Sequence, residues 1–498
     1  MYFAVFNRNM GGYQLKQVYD VLIIGAGVIG SAIGRELSRY CLKIAVLDKE
    51  LDVCCETSGR NSGVLHGGFT YKTGSLKAKC SVEGNAEFDK VAEELDVPFK
   101  RTGKVVVGFT DSDMQSLLKY KAIGEANGVP GLEIVDKQRL AALDSSAGGE
   151  FAMYSPTSGI LNPFIYTVAL AENAQQNGAE FHFDREVLGI NRKNDNYEII
   201  TAKEVYTTRW VVNCAGLNSA KISTMLGIDG YTLGGFKGEY FVLDKKVGKY
   251  LNMPVYPAPG PTGGFATHAT PTVDGNVLIG PDSALVDDFE DYGVTSPAME
   301  KLITDGAKMF KHVKREHFIR NFSGIRPKLI DKDTKQVLDF VLESRAEVPN
   351  VINLVGIESP GLTSALPLAR RAVALLREKE TLLPNENFNP RRIGILCFAA
   401  QSDAVKQDLI AKDPNYGEII CRCETVTKAE IIQAVHNCLG VETVMGIKNR
   451  TRATMGRCQG GYCETRIVEI IQEQLHKQRA EVLYGRVGST MFTGKVRE

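Results

Sequence analysis

Near the start of the chain, short apolar runs alternate with a stretch of helical periodicity. "VYDVLIIGAG" is apolar, rich in β-branched residues and ends in glycine, whereas "VIGSAIGRELSRY" repeats its apolar residues at helical spacing. "LKIAVLDKE" is a second buried run. The order of strand, glycine turn, helix and strand predicts the βαβ unit of a doubly wound sheet.

The rest of the chain contains further predicted helices and strands. "DMQSLLKYKAIGEANG" predicts a polar helix, while "YEIITAKEVYTTRWVVNCAG", "GEYFVLDK" and "GNVLIGP" predict further strands. "VINLVGIESPGLTSALPLARRAVALLREK" predicts a buried strand, a glycine loop and a helix. Proline and asparagine cluster between 378 and 416, which indicates a linker before a set of short helices. We predict a lead-in at 1–17, an α/β unit at 18–385, a linker at 386–415, a small domain at 416–476 and a tail at 477–498.

Charge and hydropathy narrow the classes of function. Lys plus Arg and Asp plus Glu both number 59, so the formal net charge of the 498 residues is zero. Such a chain has no overall positive field to attract nucleic acid or an anionic membrane. No apolar run approaches the roughly 20 residues of a membrane-spanning helix, and the opening segment does not resemble a signal peptide. We therefore expect a cytoplasmic protein without a membrane span or a nucleic-acid partner.

The chain contains 11 cysteines. In a reducing compartment a disulfide framework is not expected. Cys41 and Cys214 lie in apolar sequence, and we interpret them as core residues. Four other cysteines have ligand-like spacing and are considered below.

A dinucleotide site is predicted at the first glycine turn. Gly25, Gly27 and Gly30 form a G-x-G-x-x-G pattern between a strand and a helix. These glycines permit a tight turn, close approach of a pyrophosphate and close helix–strand packing. Asp48 ends the second strand, where a carboxylate can accept hydrogen bonds from ribose hydroxyls. Nicotinamide and flavin nucleotides both fit this pattern.

Three later segments resemble the glycine-oxidase/D-amino-acid-oxidase superfamily of FAD enzymes. They are "TSGRNSGVLHGGFTYKTGSLKA", "WVVNCAGLNS" and "GIESPGLTSALPLA", and the resemblance covers residues 17–378. It implies a Rossmann-like FAD-binding doubly wound sheet with an inserted α+β substrate domain. It also implies FAD contacts at Thr57, Ser58, Asn213–Gly216 with Gly216 among them, Gly356, Gly361, Leu362 and Thr363.

Within these segments, His66, His268 and Arg326 are candidates for the substrate side. Oxidation of an alcohol through a flavin needs a base for the hydroxyl proton, and histidine suits this role. A guanidinium suits a carboxylate or phosphate of the substrate. The alternatives are a histidine that only bonds backbone and an arginine in a structural ion pair.

Lys237, Glu239 and Tyr240 in "GFKGEYFVL" are weaker candidates for the substrate side. The alternative for these three residues is a solvated edge strand.

Two branches of the superfamily compete for the substrate. "RNSGVLHGGFTYKTGSLKAK" resembles L-2-hydroxyglutarate oxidases and dehydrogenases. "THATPTVDGNVLIGP" and "GIESPGLTSALPLARR" resemble anaerobic-type, FAD-dependent glycerol-3-phosphate dehydrogenases. Both branches oxidise a secondary alcohol that bears an anionic group, so either resemblance implies a small anionic alcohol as substrate.

Four cysteines remain, in "IICRCETVTKAEIIQAV" and "TRATMGRCQGGYCE": Cys421, Cys423, Cys458 and Cys463. These segments resemble the bacterioferritin-associated-ferredoxin-like domain, which binds a 2Fe–2S cluster, and we expect two pairs of thiolates on loops at helix starts. Structural zinc is the main alternative, although a one-residue gap between ligands is unusual there.

Neighbouring residues are expected to support these thiolates. We expect Gly456, Gly460 and Gly461 to let backbone amides approach the sulfurs, and Arg422 and Arg457 to favour thiolate over thiol. The arginines could instead be solvated surface residues.

The combination of the two cofactor sites favours a dehydrogenase over an oxidase. A flavin accepts two electrons together, whereas a 2Fe–2S centre passes them singly, and an oxidase that uses dioxygen needs no such relay. Enzymes that resemble the anaerobic glycerol-3-phosphate dehydrogenases often carry this C-terminal domain, and typical L-2-hydroxyglutarate enzymes do not. The resemblance therefore implies oxidation of sn-glycerol 3-phosphate to dihydroxyacetone phosphate. The expected partner is an electron-acceptor protein, either a second flavoprotein or an iron–sulfur subunit.

Overall fold

The computed structural model describes residues 18–260 and 264–494. The predicted lead-in at 1–17 lies outside the described residues. The strands are β1 (Val18–Ile24), β2 (Ile44–Leu47), β3 (Val64–Leu65), β4 (Phe99–Lys100), β5 (Lys104–Gly108), β6 (Glu133–Asp136), β7 (Phe151–Ser155), β8 (Gly159–Leu161), β9 (Glu180–His182), β10 (Val187–Lys193), β11 (Asn196–Thr201), β12 (Val205–Asn213), β13 (Leu233–Leu243), β14 (Val255–Pro257), β15 (His268–Pro271), β16 (Val277–Gly280), β17 (Ala284–Val286), β18 (Phe318–Leu329), β19 (Val341–Glu343), β20 (Val351–Val355), β21 (Ile419–Cys421) and β22 (Val426–Thr427). The α-helices are α1 (Val28–Leu37), α2 (Leu76–Leu95), α3 (Asp111–Ala126), α4 (Lys137–Leu143), α5 (Pro163–Gln176), α6 (Ser219–Met225), α7 (Lys245–Gly248), α8 (Ser296–Met309), α9 (Gly361–Arg377), α10 (Asp403–Lys412), α11 (Lys428–Val435), α12 (Val444–Thr451) and α13 (Glu464–Leu475).

The first sheet has eight strands and forms the nucleotide-binding half. Its order is β10-β11-β12-β1-β2-β9, and β20 pairs with β12 and with β19. Strands β9, β2, β1, β12 and β20 run parallel, as a doubly wound sheet requires. Alternate residues of β1 enter opposite cores: Val21 and Ile23 share a core with α1, α5 and α9, and Leu22 shares one with α6. The predicted fold class is confirmed.

The second sheet has nine strands and carries the substrate side. Its order is β17-β13-β16-β15-β14-β5-β7-β6, with β18 paired along β13. Pairing is antiparallel except between β14 and β5. Helix α8 and inward residues of β5, β15 and β16 form the core of this half. The strand pairings bring β5 beside the consecutive strands β14 and β15, although β5 is distant from them in sequence.

Strand β13 is interior, because β16 and β17 lie on one side and β18 on the other. The alternative of a solvated edge for "GFKGEYFVL" is therefore wrong. Lys237 is buried and its Nζ lies 2.8 Å from Asp291 Oδ2, while Glu239 Oε2 accepts a bond from the Thr295 N–H at 2.7 Å. These two side chains serve the packing of their own sheet, and only Tyr240 lines the cavity described below.

The C-terminal residues form a small, mainly helical unit. Helices α11, α12 and α13 pack with β21 and β22 around a separate apolar core. Helix α12 contacts α5 of the first half, and Arg450 forms a buried two-bond ion pair with Asp52, at 2.5 and 2.9 Å. The segment before this unit contains α10 and also packs closely, through a buried ion pair of Arg392 with Glu172 at 2.7 Å. The exact domain boundaries stay a prediction.

All 11 cysteines lie in the described ranges and are free. The interpretation of Cys41 as a core residue is wrong, because it is exposed at a turn and donates to the carbonyl of Pro384. Cys214 is half-buried and faces the cavity. Among the helices of residues 18–260 and 264–494, none has the length and apolar character needed to cross a bilayer.

Candidate functional site

The glycine turn after β1 forms a cradle of backbone atoms. Gly25 has φ +107°, and a Cβ there would lie 2.4 Å from the carbonyl oxygen of Cys214. A Cβ at Gly30 would lie 1.8 Å from the Gly25 oxygen, so the first turn of α1 packs directly on the loop. The N-cap residue Gly27 offers no side-chain cap, and the first turn of α1 contains no acidic residue. This helix terminus is therefore suited to an anion such as a pyrophosphate.

Asp48 and Ser58 complete the cradle. Asp48 Oδ2 accepts from the Ala26 N–H at 2.6 Å, and Ser58 Oγ accepts from the Val28 N–H at 2.9 Å. Burial raises the pKa of Asp48, while two backbone N–H groups oppose that effect. These bonds fix the carboxylate beside the loop, in the position that a ribose contact requires.

A single cavity of about 420 Å³ runs from this cradle to the second sheet. It brings together most of the residues predicted from the sequence: Gly25, Gly27, Asp48, Thr57, Ser58, Gly216, Gly361, Leu362, His66, His268 and Arg326. Gly30, Gly356 and Thr363 do not line it. Thr363 lies just behind, where its Oγ1 accepts from the His66 N–H at 3.0 Å. The cavity thus connects the anion-binding cradle with the residues expected on the substrate side.

His268 provides an unpartnered imidazole nitrogen in the cavity wall. Its Nδ1 lies 3.3 Å from the carbonyl of Ala266, and since a carbonyl only accepts, this contact assigns the proton to Nδ1. Nε2 is buried and has no hydrogen-bond partner among the described residues. Burial holds the pKa of His268 well below its ordinary value. The ring is therefore neutral near pH 7 and its free nitrogen can accept a proton.

His66 lies in the same cavity, but its imidazole ring has a hydrogen-bond partner. Its Nε2 is 3.3 Å from Ser359 Oγ, and its carbonyl accepts from the Asn85 side chain at 3.0 Å. Burial lowers the pKa of His66 to about 3. Of the two histidines, His268 has the geometry better suited to a base.

The substrate end of the cavity carries excess positive charge. Arg326 donates to Ser283 Oγ at 3.3 Å and forms no ion pair within the described part of the chain, so it remains available for an anion. Lys328 and Glu358 line the cavity beside it, and Lys77 lies 3.0 Å from Glu358. Burial alone would raise the pKa of Glu358, but these three cations outweigh burial and lower it. Three cations thus face one carboxylate.

Two further residues at or near the cavity, Lys104 and Tyr256, are not predicted from the sequence. The Lys104 ammonium lies 3.6 Å from the centroid of the Tyr256 ring, and the ring of His268 stacks on Tyr256 with centroids 3.7 Å apart. Phe69 and Phe265 also lie within 5.0 Å of this ammonium. Burial lowers the pKa of Lys104 to about 7. A lysine at the start of "KVVVG" was visible in the sequence, but nothing local marks it as buried.

The four cysteines of the C-terminal unit converge as two pairs. Cys421 lies next to Cys463, and Cys423 lies next to Cys458. The neighbouring Cys463 thiol lowers the pKa of Cys421 to about 6. In the described ranges no group of three or more His, Cys, Asp and Glu side chains is arranged to hold a single metal ion. Two pairs of thiols suit a cluster in which each iron takes two protein thiolates.

The surroundings of the thiols differ in part from the prediction. Only Cys463 lies at a helix start, as the N-cap residue of α13, whereas Cys421 ends a strand. Gly456 lies against Cys423, since a Cβ there would be 2.1 Å from the Cys423 Cβ. Arg457 pairs with Asp244 at 2.8 Å, and Arg422 lies 4.2 Å above the Tyr462 ring.

The cradle, the cavity and the thiol pairs together suit a dinucleotide-dependent oxidoreductase with a separate iron–sulfur centre. Residues 20–375 match the model of the FAD dependent oxidoreductase family, and residues 419–473 match that of the BFD-like 2Fe–2S binding domain. The chain belongs to the FAD dependent oxidoreductase family, and its cofactors are FAD and a 2Fe–2S cluster.

Comparison with individual proteins agrees with this assignment. The chain is 39% identical over 480 residues to a glycerol 3-phosphate dehydrogenase of Caloramator mitchellensis, covering 96% of this chain and 98% of that one. It is 31% identical over 401 residues to a mitochondrial L-2-hydroxyglutarate dehydrogenase of Arabidopsis thaliana, covering 71% and 82%. The structure of dithionite-reduced L-alpha-glycerophosphate oxidase from Mycoplasma pneumoniae with FAD bound is similar, with a TM-score of 0.71, 28% identity and coverage of 76% and 99%.

Proposed function

We propose that the protein is a dehydrogenase that oxidises sn-glycerol 3-phosphate to dihydroxyacetone phosphate. The observation that supports this proposal is that one cavity combines two features. His268 offers an imidazole nitrogen that has no hydrogen-bond partner among the described residues, and Arg326 and Lys328 make one end of the cavity cationic. A secondary alcohol with a phosphate group needs these two features at opposite ends. The full-length similarity to a glycerol 3-phosphate dehydrogenase supports phosphate as the anion.

FAD, when bound, supplies a ring that accepts the hydride from the alcohol carbon. His268 Nε2 takes the hydroxyl proton, since its Nδ1 proton is held by Ala266. Arg326 and Lys328 bind the phosphate and so orient the carbon that loses the hydride. Tyr256 stacks on His268 and holds the plane of the ring.

We further propose that the electrons leave through the four-thiol centre to an acceptor protein. The exposure of Cys423 and Cys458 supports this exit, because a partner can approach these ligands directly. Oxidation of L-2-hydroxyglutarate is the second candidate, since its carboxylates would also suit the cationic end and relatives with that activity align with most of the chain.

Anaerobic bleaching of the flavin tests the substrate. The holoenzyme is mixed with glycerol 3-phosphate, L-2-hydroxyglutarate or glycerol in a stopped-flow spectrophotometer. Rapid bleaching by glycerol 3-phosphate alone is expected. Bleaching by L-2-hydroxyglutarate alone would replace the proposed substrate with the second candidate.

Arg326→Ala tests the anion site in the same assay. Loss of a charge-assisted contact to the phosphate should weaken substrate binding by about 100-fold, since such bonds contribute about 1.5–3 kcal/mol. Arg320→Ala is the matched control, because Arg320 lies on the same strand but bonds to Gln459 outside the cavity. Equal effects of the two substitutions would remove Arg326 from the anion site.

The visible spectrum of anaerobically purified protein tests the rival idea that the C-terminal unit is a metal-binding docking module. A 2Fe–2S cluster adds iron, acid-labile sulfide and visible bands to those of the flavin. Zinc with no iron would support the rival, provided that electron transfer to the acceptor survives deletion of the unit.

A further inference from the structure

A basic surface lies on the second sheet, outside the cavity, and the proposed chemistry does not use it. It surrounds a shallow depression of about 510 Å³. The depression is lined by Lys245, Lys246, Val247, Lys249, Tyr250, His312, Lys314 and His317. None of these eight residues is acidic. We call this set the basic surface.

Most of its lysines are not neutralised. Lys246, Lys249 and Lys314 are exposed, and none of them forms an ion pair with a carboxylate of residues 18–260 or 264–494. The whole chain has no net charge. The positive charge is therefore a local feature of this surface, and a field of this kind steers an acidic partner to one place.

One end of the basic surface contacts residues next to the four-thiol centre. Lys245 Nζ lies 2.7 Å from Glu424, the neighbour of Cys423. Asp244, which precedes Lys245, lies 2.8 Å from Arg457, the neighbour of Cys458. Cys423 and Cys458 are the two exposed cysteines of the centre, whereas Cys421 and Cys463 are buried. The accessible side of the thiol centre thus borders Lys245, which is one end of the basic surface.

We propose that the basic surface and the exposed Cys423–Cys458 side form the docking site of an acidic one-electron carrier protein. This inference rests on the proposed function, because it assigns the place where the electrons leave. Each oxidised alcohol releases two electrons and two protons. Two carriers therefore dock in turn and each leaves reduced by one electron, while the protons go to solvent. An anionic membrane or a nucleic acid would not need the lysines beside the exposed thiols.

Charged inorganic oxidants test the surface without knowledge of the natural carrier. The holoenzyme is reduced with dithionite, so the measurement does not depend on the substrate. It is then mixed at low ionic strength with hexacyanoferrate(III), a trianion, or hexaammineruthenium(III), a trication. The test variant is Lys246→Glu/Lys249→Glu/Lys314→Glu. The control, Lys43→Glu/Lys119→Glu/Lys332→Glu, changes the net charge equally at exposed lysines elsewhere.

We expect the test variant to be reoxidised about tenfold more slowly by the trianion and faster by the trication. High salt should abolish both differences, because it screens exposed charges. Equal rates for the test and control variants would overturn the inference. Glycerol 3-phosphate should bleach the flavin of both variants at the native rate. If it does not bleach the flavin of the native enzyme, the proposed function is refuted, but the docking inference is not.

Binding is measured separately by zero-length carbodiimide cross-linking to an acidic plant-type ferredoxin as probe. Cross-links mapped to Lys246, Lys249 or Lys314, and lost at high salt, would support the docking site. Cross-links spread equally over the control lysines would contradict it. Co-sedimentation with phosphatidylglycerol vesicles would also contradict the docking site if the native protein and the control variant show it and the test variant loses it. The basic surface would then bind a membrane.

Discussion

The cavity and the four-thiol centre differ most in their access to solvent. His268 is 5% exposed and its ring is stacked on Tyr256, whereas Cys423 and Cys458 are exposed. Hydride and proton transfer benefit from a closed site that excludes water and fixes the geometry. Release of single electrons requires that a partner come close. The two regions therefore have opposite structural requirements, and buried ion pairs such as Arg450–Asp52 join them.

Substitution of Gly30 should have the largest effect on cofactor binding, because it acts on the closed region where the first turn of α1 packs on the glycine loop. In Gly30→Ala the new Cβ would lie 1.8 Å from the Gly25 oxygen, which displaces the cradle. We expect FAD affinity to fall by about 100-fold or more, since the backbone no longer admits the pyrophosphate. Gly34→Ala is the control in the same helix, with its nearest atom at 3.6 Å. Flavin content after purification, followed by titration with FAD, measures both, and an unchanged affinity in Gly30→Ala would contradict the model of the cradle.

Arg450→Met tests how firmly the open region is attached to the closed one. It leaves Asp52 as an unpaired buried charge, and we expect a loss of about 3–5 kcal/mol from the free energy of unfolding. Arg479→Met breaks an ion pair in which both partners are about half exposed, Arg479 at 48% and Glu469 at 54%. This control should cost less than about 1 kcal/mol. Urea denaturation followed by circular dichroism compares the two, and similar losses would show that the buried pair is not the main attachment.

His268→Gln should slow flavin reduction by about 100-fold while substrate binding is retained, because the proton acceptor is lost. His436→Gln, in the open region, should leave the rate unchanged. Since burial depresses the pKa of His268, the native ring stays neutral on mild acidification and the rate should not fall between about pH 8 and pH 6. A loss of rate centred near pH 6.5 would show that the base is an ordinary, solvated histidine.

Lys104→Met should have the smallest of these effects, which is a change in the free energy of unfolding. The lysine pKa falls from 10.5 to about 7 in the folded protein, so the unfolded chain binds more protons between these values. Burial of the Lys104 ammonium therefore lowers the free energy of unfolding by its full amount below about pH 7, and this loss disappears as the pH approaches about 10.5. We expect the variant to be more stable by about 2 kcal/mol at pH 6, after allowance for attraction to the rings, and equal to the native protein near pH 10. A pH-independent difference would mean that lost packing, not charge, causes the change.

Local patterns determined the glycine turn of the proposed nucleotide site and the four thiols of the proposed cluster site. Gly25, Gly27 and Gly30 lie within six residues of one another, so the strand–turn–helix that presents them follows from the sequence alone. The spacing of Cys421 with Cys423, and of Cys458 with Cys463, likewise defined two pairs of neighbouring thiols. In the structure Cys421 nevertheless lies next to Cys463 and Cys423 next to Cys458, because the two segments that carry them fold against each other.

Only the tertiary structure decided which residues face each other across sheets and domains. Lys104, Tyr256 and His268 come together because β5, β14 and β15 are neighbours, and no local pattern encodes that strand order. Strand β13 is interior for the same reason, which is why Lys237 and Glu239 are buried rather than solvated. Side-chain periodicity reports how a strand alternates between its two faces, but its lateral neighbours depend on how distant segments pair.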